Sequence, residues 1–234
     1  MSLAVRDREL VELMDDPACD PARLAATLRR FGIVNRLFAG WGTVYRRHLG
    51  PYLTSLGRPA RVLDIGSGGG DLPLRLARRA ARDGLEVAWT GIDPDPRAHA
   101  IAIERGAPAN VTFRVADADD LAAEGEVFDV VFSNHVLHHA GSSAAAFAEA
   151  SRALSRGLVL HGDIDRNRWA YGLYAVGITP FAPGTFLRTD GLRSIRRSFT
   201  HDELQRELDA HANGAWSVGT HAPFRLLAMS RGRA

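Results

Sequence analysis

The chain has 234 residues, 46% of them hydrophobic, which is enough to bury one substantial core. Its single cysteine, Cys19, excludes an intrachain disulfide and a cysteine-built zinc site, and every apolar run is interrupted well short of the roughly 18 residues that span a bilayer. The pI of about 9.1 comes entirely from arginine, all 29 basic residues being Arg, and with a net charge of only +2 it is not the footprint of a nucleic-acid binder.

Residues 1–16 mix Arg6, Asp7, Arg8 and Glu9 into their apolar positions and lack the uninterrupted core of a secretory signal. A cytoplasmic location is therefore expected. Apolar positions at helical spacing in residues 9–14 and 24–28 predict helix, followed by an aromatic stretch of Phe31, Phe38, Trp41, Tyr45 and Tyr52. Gly50-Pro51 and Gly57-Arg58-Pro59 punctuate its end. Residues 1–57 are read as an N-terminal helical cap, and residues 58–234 as the main domain.

From Arg61 onward, short β-type runs alternate with helical segments. The runs are Val62-Leu63-Asp64-Ile65, Val87-Ala88-Trp89-Thr90-Gly91-Ile92, Val111-Thr112-Phe113-Arg114-Val115, Val127-Phe128-Asp129-Val130-Val131-Phe132 and Gly157-Leu158-Val159-Leu160. Such alternation predicts a mostly parallel, doubly wound Rossmann-like α/β sheet covered on both faces. Candidate helix caps are Asp71, Asp95 and Ser142-Ser143. Residues 164–198, rich in Gly, Pro and aromatics, are expected to form an insertion on the acceptor side. Thr200-His201-Asp202-Glu203 offers a capping box, and two last strands flank a turn at His221-Ala222-Pro223, predicting a C-terminal antiparallel hairpin.

The segment Asp64-Ile65-Gly66-Ser67-Gly68-Gly69-Gly70-Asp71 follows a strand and opens a helix, where glycines let backbone approach a nucleotide-like ligand. A dinucleotide fingerprint starting at Gly66 would need its third glycine at position 71, which is Asp71, and one starting at Gly68 meets Pro73. An NAD(P)-dependent oxidoreductase, one alternative, loses ground there.

The same segment resembles the first motif of class I S-adenosylmethionine-dependent methyltransferases, an acidic residue followed by Gly-x-Gly-x-Gly, here Asp64, Gly66, Gly68 and Gly70. In that family the loop wraps the cofactor, so Ser67 joins the expected cofactor site. The second strand ends in Asp93-Pro94, where the resemblance implies a carboxylate accepting hydrogen bonds from both ribose hydroxyls. Asp117 and Ala118 resemble the family's adenine-binding turn. The fourth strand ends in Asn134, assigned to the cofactor, and runs into His135-Val136-Leu137-His138-His139, similar to the quinone-biosynthesis and natural-product branch that methylates small molecules. One departure is Ser155-Arg156-Gly157 where a Pro-Gly-Gly turn is usual.

The resemblance implies methyl transfer from S-adenosylmethionine to a small-molecule acceptor, a phenolic, quinol or polyketide-like O or C atom. The second alternative is a cofactor-binding fold without catalysis, serving as an interaction subunit. A histidine at the sheet's carboxyl edge could deprotonate the acceptor, His139 being preferred over His138. Substrate contacts are expected from Trp41, Tyr45, His135, Asp163, Trp169 and Tyr174. His135, His138, His139, His161 and Asp163 could gather at neighbouring strand ends, but they lack the paired carboxylates a hard cation prefers, so no metal is expected. Nor is a nucleic-acid or membrane partner, and the chain is read as a monomer or homodimer.

Overall fold

The computed structural model describes residues 3–140, 143–212 and 214–234; Met1 and Ser142, which enter the leader and cap expectations, lie outside them. Residues 9–12 are not helical, and within residues 3–20 the helical structure is a 3₁₀ turn, Leu13–Asp15. It is held from outside, because Leu13 N and Met14 N donate to the Asp190 carboxylate at 2.9 and 3.0 Å.

Helix α1 (Pro21–Phe38) starts where Asp20 accepts hydrogen bonds from Ala22 N and Arg23 N, with Pro at the first helical position. Gly40, at φ 71°, breaks it. Helix α2 (Trp41–Val44) then runs through a π-helical turn, Tyr45–Leu49, into α3 (Gly50–Leu56).

The remaining elements are β1 (Ala60–Ile65), α4 (Asp71–Arg82), β2 (Val87–Asp93), α5 (Pro96–Glu104), β3 (Val111–Val115), α6 (Ala118–Ala123), β4 (Phe128–Asn134), α7 (Ala144–Ala153), β5 (Ser155–Ile164), α8 (Arg168–Gly177), α9 (Leu187–Arg197), α10 (His201–Asp209), β6 (Trp216–Ala222) and β7 (Arg225–Arg231). The strands form one sheet in the order β3-β2-β1-β4-β5-β7-β6, with β7 antiparallel to both neighbours and the rest parallel. This is the expected doubly wound sheet with a C-terminal hairpin.

Successive strand residues point to opposite faces, and the core divides accordingly. Val62, Trp89, Val130 and Phe132 join the cluster under α2, α3 and α4, whereas Leu63, Ile92, Val131 and Val159 join the cluster under α7 and α10. No helix is long and apolar enough to cross a membrane among the described residues.

Several local expectations are corrected. Asp71 is the first residue of α4, and the capping position belongs to Gly70 at φ 74°, whose left-handed backbone suits glycine. Strand β5 extends to Ile164, and the segment 164–198 carries α8 and α9. The hairpin turns at Pro223-Phe224, because His221 and Ala222 still belong to β6. Asp95 and Ser143 cap as expected, accepting from Arg97 N and Ala146 N.

Candidate active site

Strand order reverses between β1 and β4, whose right-hand and left-hand neighbours leave a crevice at their carboxyl ends. A cavity of about 730 Å³ opens there, roofed by α1, α8, α9 and the 3₁₀ turn. One end is built by the glycine loop. Gly66 N and Ser67 N both donate to Ile92 O at 2.9 Å, and Gly68 N donates to Asp93 Oδ2 at 2.8 Å. Gly66 has φ +72°, and a Cβ there would stand 2.6 Å from Val136 Cγ2, so both backbone and space require glycine. Asp93 Oδ1 accepts from Asp95 N at 3.0 Å. The second strand's carboxylate thus ties the loop to the sheet edge while still lining the cavity.

This end concentrates acidic charge. Burial pushes the Asp64 carboxyl well above its ordinary range, reinforced by Asp71 and Asp93, and burial likewise raises Asp71 and Asp93. Asp64 Oδ1 is buried with no hydrogen-bond partner, a cost that a ligand donor would remove. Buried carboxylates around an unpartnered oxygen suit a cationic ligand with N–H donors. The amino-sulfonium end of S-adenosylmethionine fits that description; the diphosphate of NAD does not.

The other end is largely apolar, with Val34, Leu37, Ala170, Leu173, Leu187 and Ile195 among its walls, and a polar strip crosses its floor. Within the strip, His138 Nδ1 lies 2.6 Å from Asp163 Oδ1, and Glu12 Oε1 stands 3.5 Å from His138 Nε2 and 3.4 Å from His139 Nε2. Burial opposes charging His138, but Asp163 and Glu12 overcome it and carry the imidazole to about 9. Glu12 in turn is held below the usual carboxyl range, because contacts with His138, His139 and Ser194 outweigh its burial. Arg197 closes the network, 3.7 Å from Glu12 and 3.3 Å from Asp15. Glu12, His138 and His139 each bring one ligand-capable atom within 4.8 Å of the others, so the carboxylate missing from the histidine spacing arrives from the N-terminal segment.

The cavity is lined by Asp64, Gly66, Ser67, Gly68, Asp93, Pro94, Asn134, His135, His138, His139 and Tyr174. Other expected site residues fall outside it. Gly70 shapes the start of α4, and a Cβ there would strike Phe113. Asp117 is exposed and spends its carboxylate capping α6, with Ala118 as that helix's first residue. Trp41 is 1% exposed, packs on Phe132 and donates to Asn134 Oδ1 at 2.9 Å, so it supports the site from beneath. Tyr45 is buried elsewhere and donates to Asp83 at 2.8 Å. Trp169 is 64% exposed and does not face the cavity, although its neighbour Ala170 does. Asp163 is buried behind His138, which separates it from any acceptor. His161 faces the other core cluster, donating to or accepting from Ser133 Oγ at 2.8 Å and stacked on Trp216, and burial pushes it down to about 3.

Sequence reading missed Glu12, Asn35, Asp190, Ser194 and Arg225, all of which line the cavity. For Glu12 and Arg225 the signal was a polar residue inside an otherwise apolar run, Val11-Glu12-Leu13-Met14 and Phe224-Arg225-Leu226-Leu227; Asn35, Asp190 and Ser194 stand beside other polar residues and carried none. Asn35 donates to both oxygens of Asp71 at 3.2 Å, joining α1 to the glycine-loop helix.

Residues 62–157 match the family described as "Methyltransferase domain". A protein named "Ubiquinone biosynthesis O-methyltransferase" from one strain of Cereibacter sphaeroides is 36% identical over 170 residues, covering 67% of this chain and 66% of that protein. Its counterpart from a second strain is 36% identical over 175 residues, covering 68% of each. The chain spans 66%, 57% and 51% of the length of three such relatives. Among solved structures, the plantazolicin methyltransferase BpumL in complex with SAH superposes with a TM-score of 0.65 at 15% identity, covering 94% of this chain and 93% of that one. At that identity the likeness is one of fold.

Proposed function

The chain belongs to the class I S-adenosylmethionine-dependent methyltransferases of small molecules, and from that premise we propose that it transfers the methyl group of S-adenosylmethionine to an O or C atom of a phenolic, quinol or polyketide-like acceptor. The observation that carries this reading is the continuity of one cavity, from the buried carboxylates at the glycine loop to an apolar chamber floored by histidines.

In this reading Asp64 meets the cofactor's ammonium group through its unpartnered Oδ1, Gly66, Ser67 and Gly68 present backbone to it, and Asp93 and Pro94 border the ribose. Asp117 and Ala118 follow Val115, which pairs with Asp93 in the sheet register, and they border the adenine from outside the enclosed cavity. Asn134, fixed by Trp41, stands between the two ends. When bound, the cofactor supplies an activated methyl on a sulfonium, so no further activation of the donor is needed.

The chain's own tasks are then alignment, exclusion of water and removal of one proton. The apolar walls from α1, α8 and α9 exclude water around the acceptor. With the donor bound, an acceptor whose lone pair or carbanion took the methyl would release its proton to a base of the chain. His139 has the better position for that, its side chain 30% exposed and lining the cavity. His138 is 1% exposed and, at about 9, protonated at neutral pH. It orients the strip instead. We read Glu12, His138 and His139 as a charge-compensated network, in which an incoming cation would have to displace the proton that Asp163 and Glu12 hold on His138.

The reading extends to a cytoplasmic reaction by a monomer or homodimer without a nucleic-acid or membrane partner, in keeping with the near-zero net charge. Thermal-shift measurement tests its core: S-adenosylhomocysteine should stabilise the chain and NAD should not, since a ligand that binds only the native state raises apparent stability. Stabilisation by NAD alone would overturn it.

A further inference from the structure

The methyl-transfer chamber contains a buried cation that the reaction described above does not use. Arg225 opens β7, is 8% exposed, and lines the acceptor end of the cavity. Its Nε donates to Phe38 O at 2.8 Å, at the carboxyl terminus of α1 where a positive charge is favoured. Its Nη1 donates to His135 Nε2 at 2.9 Å. Guanidinium only donates, so that ring nitrogen accepts and His135 is neutral. Nη2, with two N–H groups, has no hydrogen bond among the described residues.

Buried guanidinium groups are ordinarily matched by a carboxylate. Arg166, elsewhere in this fold, follows the rule and forks onto Glu203 at 2.6 and 2.8 Å. Arg225 does not: among the described residues no carboxylate oxygen lies within 4 Å of it. Asp163, whose charge reaches it, is committed to His138 at 2.6 Å. His135, which holds Arg225, and Phe224, which precedes it in the chain, are also the two non-glycine residues with left-handed backbone among the described residues, at φ 65° and φ 59°. Strain of this kind concentrates where a side chain must be aimed at a ligand.

We propose that Arg225, held by His135, is the anchor for a carboxylate on the methyl acceptor, so that the substrate is an aromatic or conjugated carboxylic acid. The proposal rests on the methyl-transfer reading and names its substrate class. A carboxylate is ionised at neutral pH without help and supplies the full negative charge that Arg225 lacks, along with the acceptor oxygen for Nη2. The layout orients the rest of the molecule. The ring of His135 lies 6.3 Å from that of His138, which is 4.3 Å from that of His139. A carboxylate on Arg225 therefore sits beyond His135, and the methyl-accepting atom of the same molecule reaches toward His139 across the apolar chamber.

The test compares 2-naphthoate with 2-naphthamide, two apolar probes of one shape that differ in charge. Their binding to the protein is measured by calorimetry or ligand-observed NMR, with and without saturating S-adenosylhomocysteine. Wild type should bind the acid at least tenfold more tightly than the amide. Arg225→Gln should reduce the preference to within twofold, and Arg225→Lys should keep part of it. Equal binding of the two probes by wild type, a preference that survives in Arg225→Gln, or no binding of the acid at millimolar concentration would each overturn the proposal. If Arg225→Gln fails to fold, the wild-type preference and the Lys variant decide. Failure of S-adenosylhomocysteine to bind would instead sink the methyl-transfer reading, and the probe comparison without it would still decide the role of Arg225.

Discussion

His138 Nδ1 and Asp163 Oδ1, brought together from the segment after β4 and the end of β5, meet at 2.6 Å with each side chain 1% exposed. The contact fixes the segment that carries all three histidines of the site, because Asp163 also accepts from His138 N at 3.0 Å. Burial alone would neutralise both groups; each stays charged because of the other.

That coupling gives the first prediction. The imidazole is raised to about 9 in the folded chain against roughly 6.5 when unfolded, so its stabilisation is fully present below pH 6.5 and is lost as pH rises through 9. Asp163 is held below its usual range, so its stabilisation is lost in acid. Asp163→Asn should cost about 3–5 kcal/mol near neutrality, the scale for leaving one partner of a buried pair. Between pH 7 and 10, denaturant melts should show wild type losing stability relative to the variant. A constant difference across that window would mean that the pair is not ionised.

What the sequence disclosed and what it withheld follow from range. The sheet and its glycine loop were legible because strand periodicity and the acidic Gly-x-Gly-x-Gly run are local. Glu12 and Arg225 were not, because each becomes part of the site only through partners 90 or more residues away in the chain, Ser194 and Arg197 for Glu12 and His135 for Arg225. The aromatic residues Trp41 and Tyr45 misled for a related reason: composition cannot say which side of a sheet a helix covers, and both rings lie in the core. Asp163 was noticed but assigned to the acceptor, since its burial behind His138 depends on the length of β5.

Cofactor affinity should depend on Asp93. Its carboxylate fastens Gly68 N at 2.8 Å and still lines the cavity, so Asp93→Ala removes a ligand contact and loosens the loop together. A loss of about 1–3 kcal/mol in binding S-adenosylhomocysteine is expected, the scale for hydrogen bonds to a charged group. Calorimetry with unchanged affinity would remove Asp93 from the site.

Asp64 should make cofactor binding release protons. Its carboxyl is raised well above the ordinary range by burial and by the charges of Asp71 and Asp93. The native state therefore binds this proton more tightly than the unfolded chain does, and ligand-free stability falls as pH rises through the raised value. A bound ammonium favours the ionised form, so affinity for S-adenosylhomocysteine should strengthen with rising pH until Asp64 is fully ionised. Calorimetry in two buffers of different ionisation heat should detect proton release in wild type and less in Asp64→Asn. Equal release in both would assign the proton elsewhere.

Chelation should leave turnover unchanged. Glu12, His138 and His139 have the atoms of a metal site, but Asp163 and Glu12 hold His138 protonated. Dialysis against EDTA followed by assay and metal analysis checks this. Lost activity restored by one divalent ion would establish the cluster as a metal centre.

The proton-accepting role separates His139 from its neighbour. His139 lines the cavity, with Nε2 3.4 Å from Glu12 and Nδ1 3.3 Å from Asp15. His139→Gln should therefore lower turnover by about a hundredfold or more, the range for a lost general base, while S-adenosylhomocysteine affinity and melting temperature stay near wild type. His138→Gln should do the opposite in kind, because it leaves Asp163 buried without its cation and destabilises the fold before it touches the chemistry. Added imidazole provides the discriminating readout. It should restore part of the turnover of His139→Gln by entering the vacated space, and it should do nothing for His138→Gln, where the ring removed already carried its proton. Near-native turnover in His139→Gln at saturating acceptor would leave alignment as the whole of the catalysis and the histidine pair as scaffold.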